Sequence, residues 1–216
     1  MHAEFWHQCW ENDRLGFHQD AYHPWLDKYL KPLLNKHATS AVFVPLCGKS
    51  LDMRYIAAHN PVIGAELSDI ACRDFFAEAG LSPEVSAEDE LVRYQAEGVS
   101  LLQGDYFSLT AGHLASPRLV YDRAALIALP EALRARYAAH LRSLIPHGTL
   151  LLLALEYPQE EMSGPPFSVS QEEIERLYAW AEIQPLARRE IEDKVFARRV
   201  FDKVSELVET AYLISW

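Results

Sequence analysis

A chain of 216 residues and 24.6 kDa, half of it hydrophobic, needs no metal or disulfide staple to close a core, since a chain of this size buries about 70% of its unfolded surface. Its formal charge of −11 argues against DNA, RNA or an anionic membrane as the main partner and suits a small-molecule ligand and a monomer. Three cysteines, Cys9, Cys47 and Cys72, without C-x-x-C spacing, point away from a disulfide framework or a cysteine zinc site, so no metal is expected. No apolar run approaches the ~18 residues of a membrane span. Glu4, Trp6 and Glu11 stand where a signal peptide would be basic and then apolar, so a cytoplasmic location is expected.

Residues 1–37 read as aromatic helices ahead of the first strand. Trp6, Trp10 and Arg14 recur at helical spacing and share a face, and Gly16-Phe17-His18 breaks that helix. From residue 41 short β-rich runs alternate with helices, which predicts a parallel sheet with crossovers over 41–216. Strands are expected at 41–46, where Pro45 forces an end, and at 61–67, 99–104, 118–122 and 149–156. Helices are expected at 52–60, at 68–79 behind a Ser68 cap and before Gly80, and at 130–144. The last parallel strand, TLLLLALE, is apolar throughout, as a strand covered on both faces should be. Ser170 and Glu173 predict a capping box. Strands at 182–191 and 207–215 lack a crossover helix between them and therefore predict an antiparallel pair.

Candidate chemistry falls at consecutive strand ends, where doubly wound sheets bind ligands. After the first strand stands Val44-Pro45-Leu46-Cys47-Gly48-Lys49-Ser50-Leu51-Asp52, in which Gly48 permits close backbone approach. Gly48-Lys49-Ser50 is not a P-loop, because Phe43 occupies the place of that motif's first glycine. A plain βα turn is the competing reading. Glu66, at the end of the second strand, can accept both hydroxyls of a ribose; an exposed strand-end glutamate is its alternative. Asp105 and Tyr106, after the third strand, suit an adenine amino group and ring, against a simple turn aspartate. Arg123, after the fourth, offers a permanent positive charge, against a salt bridge to Asp122 or Glu156. Aromatics of the N-terminal helices either cover this crevice as a lid or pack as core. Cys47 reads as an apolar filler and not as a nucleophile.

These segments, with Trp6-x-x-x-Trp10, Gly64-Ala65-Glu66-Leu67-Ser68, Gly104-Asp105-Tyr106-Phe107, Tyr121-Asp122-Arg123-Ala124-Ala125-Leu126 and Gly164-Pro165-Pro166-Phe167, resemble the thiopurine S-methyltransferase family across nearly the whole chain, in its bacterial branch. The resemblance implies a single α/β domain over 1–216 of the Rossmann-like class I S-adenosylmethionine-dependent methyltransferase type. Its sheet would be seven-stranded and mostly parallel, with a C-terminal antiparallel hairpin and an N-terminal helical lid at 1–37. It further implies that Trp10, Leu46, Glu66 and Arg123 contact S-adenosyl-L-methionine and that Asp105 and Tyr106 lie near the adenine. Where animal members carry an arginine-histidine-lysine stretch, residues 195–201 read VFARRVF, so either Arg198 or Arg199 faces the acceptor.

The implied activity is methyl transfer to the sulfur of thiopurines and other aromatic or heterocyclic thiols, with selenium and tellurium compounds as further acceptors. Arg123 is the expected catalytic residue, and Trp6, Phe17, Phe196 and Arg198 are the expected acceptor-binding residues. Two other classes keep parts of this pattern. A nicotinamide-dependent oxidoreductase would use Glu66 but needs the three-glycine loop this chain lacks, and a non-catalytic nucleoside-binding protein would share the fold.

Overall fold

The computed structural model describes residues 3–16, 18–191, 201 and 204–216. Phe17, Phe196, Arg198 and Arg199 therefore lie outside the described residues. The chain divides into two compact units, Met1–Tyr121 and Asp122–Trp216.

In the first unit the shortest strand organises the rest. β1 (Val42–Val44) consists of β-branched and aromatic residues buried on both faces, and it ends at Pro45, which cannot donate to a ladder. β2 (Val62–Glu66) pairs with it in parallel, Val42 opposite Val62, and β5 (Val99–Gln103) pairs in parallel with β2. β6 (Leu119–Arg123), which runs through the boundary between the units, lies parallel on the other side of β1. Parallel neighbours require crossovers, supplied here by α3 (Asp52–Ala57) and α4 (Asp69–Ala77). Ser68 caps α4 by accepting from the Ala71 amide, as expected. Phe75 and Phe76 on α4 are almost fully buried, each worth roughly 1.5–3 kcal/mol relative to exposure.

Two strands of this unit were not expected. β3 (Glu84–Glu88) and β4 (Leu91–Ala96) form an antiparallel hairpin on the outer side of β5, giving the order β3-β4-β5-β2-β1-β6. The described residues thus hold nine strands, and the expected seven is corrected by this hairpin. Its legible trace was the turn between β4 and β5. Glu97 and Gly98 both have positive φ, and a two-residue turn with positive φ at both positions matches the twist of the flanking strands.

The N-terminal helices are shorter than the aromatic spacing suggested. α1 spans Ala3–Glu11 and closes in a left-handed turn at Asp13 (φ 51°), with the Arg14 amide donating to the Cys9 carbonyl at 2.9 Å and the Asp13 amide to Trp10. This is the Schellman pairing. It places Arg14 beyond the helix, exposed, and off the face that carries Trp6 and Trp10. A π-helical turn at Leu26–Leu30 then leads into α2 (Lys31–Lys36).

In the second unit α5 (Glu131–Leu144) precedes β7 (Thr149–Glu156), whose first six residues are buried regardless of face. β9 (Val208–Ser215) pairs antiparallel with β7, and β8 (Glu182–Glu190) pairs antiparallel with β9, as the missing crossover required. Only half of the predicted capping box forms at α6 (Gln171–Leu177). Ser170 accepts from the Glu173 amide, but Glu173 turns its carboxylate to the buried Arg134 at 2.6 Å. A buried guanidinium left without a counter-charge costs more than a half-finished cap.

Asp122 anchors the start of this unit. Its Oδ1 accepts the Ala125 and Leu126 amides at 3.0 and 3.2 Å, and its Oδ2 accepts the Tyr137 hydroxyl at 2.6 Å. Burial nevertheless pushes its pKa up to about 6. A folded-state value above the unfolded one means that the folded chain holds this proton longer. The group's contribution is then present below pH ~4, the unfolded value, and is lost as pH rises through about 6. Urea denaturation across that window should show Asp122→Asn losing this part of the slope while the parent chain keeps it.

Candidate functional site

The turn after β1 carries the backbone geometry that the expected ligand-binding residues need. Leu46 sits at φ 45° and Gly48 at φ 53°. For leucine such a conformation stores of order 1–3 kcal/mol and points to a local demand beyond packing. A Cβ on Gly48 would stand 3.3 Å from the Trp10 indole. The aromatic helix α1 therefore lies directly against this turn, and Trp10 is buried there. Lys49 turns away, bonded to Glu78 at 2.5 Å and 3.6 Å from Asp74, which removes it from any phosphate-binding role. Burial drives the Cys47 thiol far above its ordinary range, so it is protonated filler as read from the sequence.

Glu66 ends β2 beside this turn. It is buried, which corrects the alternative of an exposed strand-end glutamate. Its Oε2 accepts the Gly48 amide and its Oε1 the Ser68 amide, both at 2.8 Å. Burial raises its pKa, while the Ser68, Gly48 and Leu67 backbone amides oppose the rise. An ionised carboxylate has about four acceptor sites, so two amides leave capacity for further donors such as paired hydroxyls.

The segment after β5 is tied to the same place, because the Gly104 amide donates to the Glu66 carbonyl at 2.8 Å. Asp105 is exposed and caps a short 3₁₀ turn by accepting the Phe107 amide at 2.9 Å. It is thus a turn aspartate and still a carboxylate open to solvent. Tyr106 is buried, edge-on to Phe107 at 5.3 Å.

The first unit therefore brings together Trp10, Leu46, Gly48 and Glu66, and through Gly104 the Asp105–Tyr106 pair. Trp6 is half-buried on α1 against Phe5. His7 on α1 is a further group near Glu66 that the sequence reading does not single out; its spacing of three from Trp10 is the available signal. Arg123 belongs to the second unit, half-buried at the end of β6 and followed by Ala124 at φ 78°, another strained non-glycine residue beside a candidate. Asp122 is committed to Ala125, Leu126 and Tyr137. The Gly164-Pro165-Pro166-Phe167 segment is held by the Phe167 amide on the Ile127 carbonyl at 2.7 Å and the Tyr157 hydroxyl on the Pro166 carbonyl at 2.6 Å. Among the described residues no helix is long and apolar enough to cross a membrane.

A parallel sheet with a C-terminal antiparallel pair and candidate residues at strand ends is the Rossmann-like class I methyltransferase fold. Solved structures agree. Magnesium protoporphyrin IX methyltransferase from Synechocystis, with bound S-adenosylhomocysteine, superimposes with a TM-score of 0.64 at 11% identity, covering 98% of each chain. The Burkholderia thailandensis 1,6-didemethyltoxoflavin-N1-methyltransferase gives a TM-score of 0.58 at 14% identity, covering 99% of this chain and 86% of that one. A family model described as thiopurine S-methyltransferase matches residues 1–215. Proteins named thiopurine S-methyltransferase from Pseudomonas paraeruginosa and Shewanella oneidensis are 50% and 46% identical over 181 and 194 residues, covering 83% and 88% of each chain. The chain belongs to the thiopurine S-methyltransferase family and is an S-adenosylmethionine-dependent methyltransferase.

Because Gly48 meets Trp10 at contact distance in a left-handed conformation, Gly48→Ala should cost about 1–2 kcal/mol from backbone conformation alone. It should also move the Trp10 ring. Urea denaturation and tryptophan fluorescence check both effects, and an unchanged emission spectrum would place the indole elsewhere.

Proposed function

We propose that this enzyme methylates the sulfur of aromatic and heterocyclic thiols, thiopurines among them, with selenium and tellurium compounds as further acceptors. The observation that carries the reading is the family match over residues 1–215, with relatives of the same name near half identity. In this reading Trp10, Leu46, Gly48 and Glu66 hold the cofactor, Asp105 and Tyr106 flank its adenine, and Arg123 serves both cofactor and acceptor. Trp6, Phe17, Phe196 and Arg198 line the acceptor side.

The residues present suit an adenosyl ligand. Glu66 retains acceptor capacity while fixed by two amides, and Gly48, left-handed and packed against the Trp10 indole, keeps the turn beside that carboxylate free of a side chain. When bound, the cofactor supplies an electrophilic methyl group on a sulfonium sulfur. The protein's share is alignment, exclusion of water and control of charge. Arg123 stays charged at every working pH and favours the acceptor as thiolate, so no side chain has to take the proton within the site. The proton leaves to solvent before transfer.

Labelled methyl transfer to 6-mercaptopurine, a set of aryl thiols and selenite tests this directly, and no turnover on any of them overturns it. The rate for each thiol should rise with pH through that thiol's own pKa. Arg123→Ala should lose most activity with the least acidic thiols; an equal loss across the series would limit Arg123 to holding cofactor. Glu66→Gln keeps the side chain's size but sets an amide N–H₂ against one backbone donor, at a cost of about 1–3 kcal/mol. Calorimetry should show it as weakened S-adenosylhomocysteine binding.

A further inference from the structure

The β3–β4 hairpin touches the segment that follows β5 at Gly104, Ser108 and His113, from its tip and from Arg93 just behind it. Gly104 is pressed against it, since a Cβ there would lie 2.5 Å from Leu91 Cδ2 and 3.7 Å from the Glu90 carbonyl. The Ser108 hydroxyl donates to Glu90 at 3.2 Å. His113 is buried and takes the Thr110 amide on Nδ1 at 3.0 Å. That leaves its Nε2–H to donate to Asp89 at 3.0 Å. The strands behind the tip are locked in turn. Arg93 on β4 grips Glu88 on β3 with two nitrogens and donates to the Ser100 hydroxyl on β5 at 2.5 Å and to the His113 carbonyl at 3.1 Å. The tip residue Asp89 adopts φ 53°, a left-handed conformation that aspartate tolerates, so the turn aims its carboxylate back at His113.

Asp105 and Tyr106 lie between the first and second of these tethers. We propose that the hairpin tip, through Asp89 and Glu90, positions the Gly104–His113 segment so that Asp105 and Tyr106 recognise the adenine, making Asp89, Glu90 and His113 positioning residues for nucleobase selectivity. This rests on the reading above that Asp105 and Tyr106 flank the adenine. Neither Asp89 nor Ser108 is needed for the fold's core. The Asp89 side chain is 81% exposed, and the Ser108 bond lies at the surface. Loosening both frees the segment without unfolding the sheet.

The test uses the full-length enzyme carrying Asp89→Gly with Ser108→Ala, glycine being chosen because it keeps the positive φ. The cofactor KM should rise about ten-fold while kcat at saturating cofactor and the acceptor KM stay near the parent values, as expected for a misplaced binding segment. The decisive readout is the ratio of affinities for S-adenosylhomocysteine and S-inosylhomocysteine, which differ at the base's amino position. The parent should discriminate between them and the double variant should bind them nearly alike. Asp89→Asn, which retains an acceptor for His113, should restore most of the discrimination. A double variant with the parent's ratio and cofactor KM overturns the positioning role. Asp105→Ala with an unchanged ratio removes the underlying adenine assignment instead.

Discussion

A carboxylate buried between two backbone amides is the constraint on which the rest of the first unit turns. Glu66 holds the Gly48 and Ser68 amides, and in doing so it fixes the turn after β1 to the turn after β2. Burial works against its charge and the amides work for it. Such a group is stable only while its donors stay in place, so the left-handed Leu46 and Gly48, the cap of α4 and the seat of Trp10 are not independent features. Gly64, one strand position from Ala65, shows how little room there is. A Cβ there would meet Leu101 at 2.6 Å and Cys47 at 2.7 Å, well inside van der Waals contact.

Four acids are buried among the described residues, and their partners separate them. Glu209 is paired with Arg189 at 2.6 Å. Asp52 is spent on the His23 amide and the Tyr121 hydroxyl, both at 2.9 Å. Asp122 is spent on Ala125, Leu126 and Tyr137. Both are cross-links within their units, and tyrosine hydroxyls complete them. Glu66 joins the turn after β1 to the turn after β2 through backbone donors, with no tyrosine hydroxyl on it, and it keeps acceptor sites for a ligand's hydroxyls. A carboxylate that links two turns and still has lone pairs to offer suits a cofactor site better than one buried beneath a tyrosine.

Much of this was legible along the chain. Pro45 marked the end of β1, Ser68 the start of α4, and the unbroken apolar run of β7 its burial on both faces. That Gly48, Glu66 and Asp105 stand at strand ends was equally legible, since each closes a short β-rich run. The β3–β4 hairpin was not seen. β3 alternates over only five residues, with Val85 and Ala87 as its apolar positions, and is exposed along nearly all its length, so its period-2 signal is too short and too weakly apolar to announce a strand. The spacing of Trp6, Trp10 and Arg14 extends the first helix past its true end at Glu11, because periodicity does not register the left-handed stop at Asp13.

By itself the sequence determined the order and kind of the main elements, the family, and which residue types stand at each strand end, since these depend on local backbone preferences and on motif spacing. Only the tertiary structure decided which of those residues meet. That Trp10 lies on Gly48, that Glu66 faces inward onto amides 18 and 2 residues away, and that Asp89 reaches His113 across 24 residues are consequences of how separate segments fill one interior. No local pattern encodes them. Burial sets the ionisation of Glu66 and Asp122 for the same reason: it is a property of everything packed around the group, not of the residues beside it in the chain.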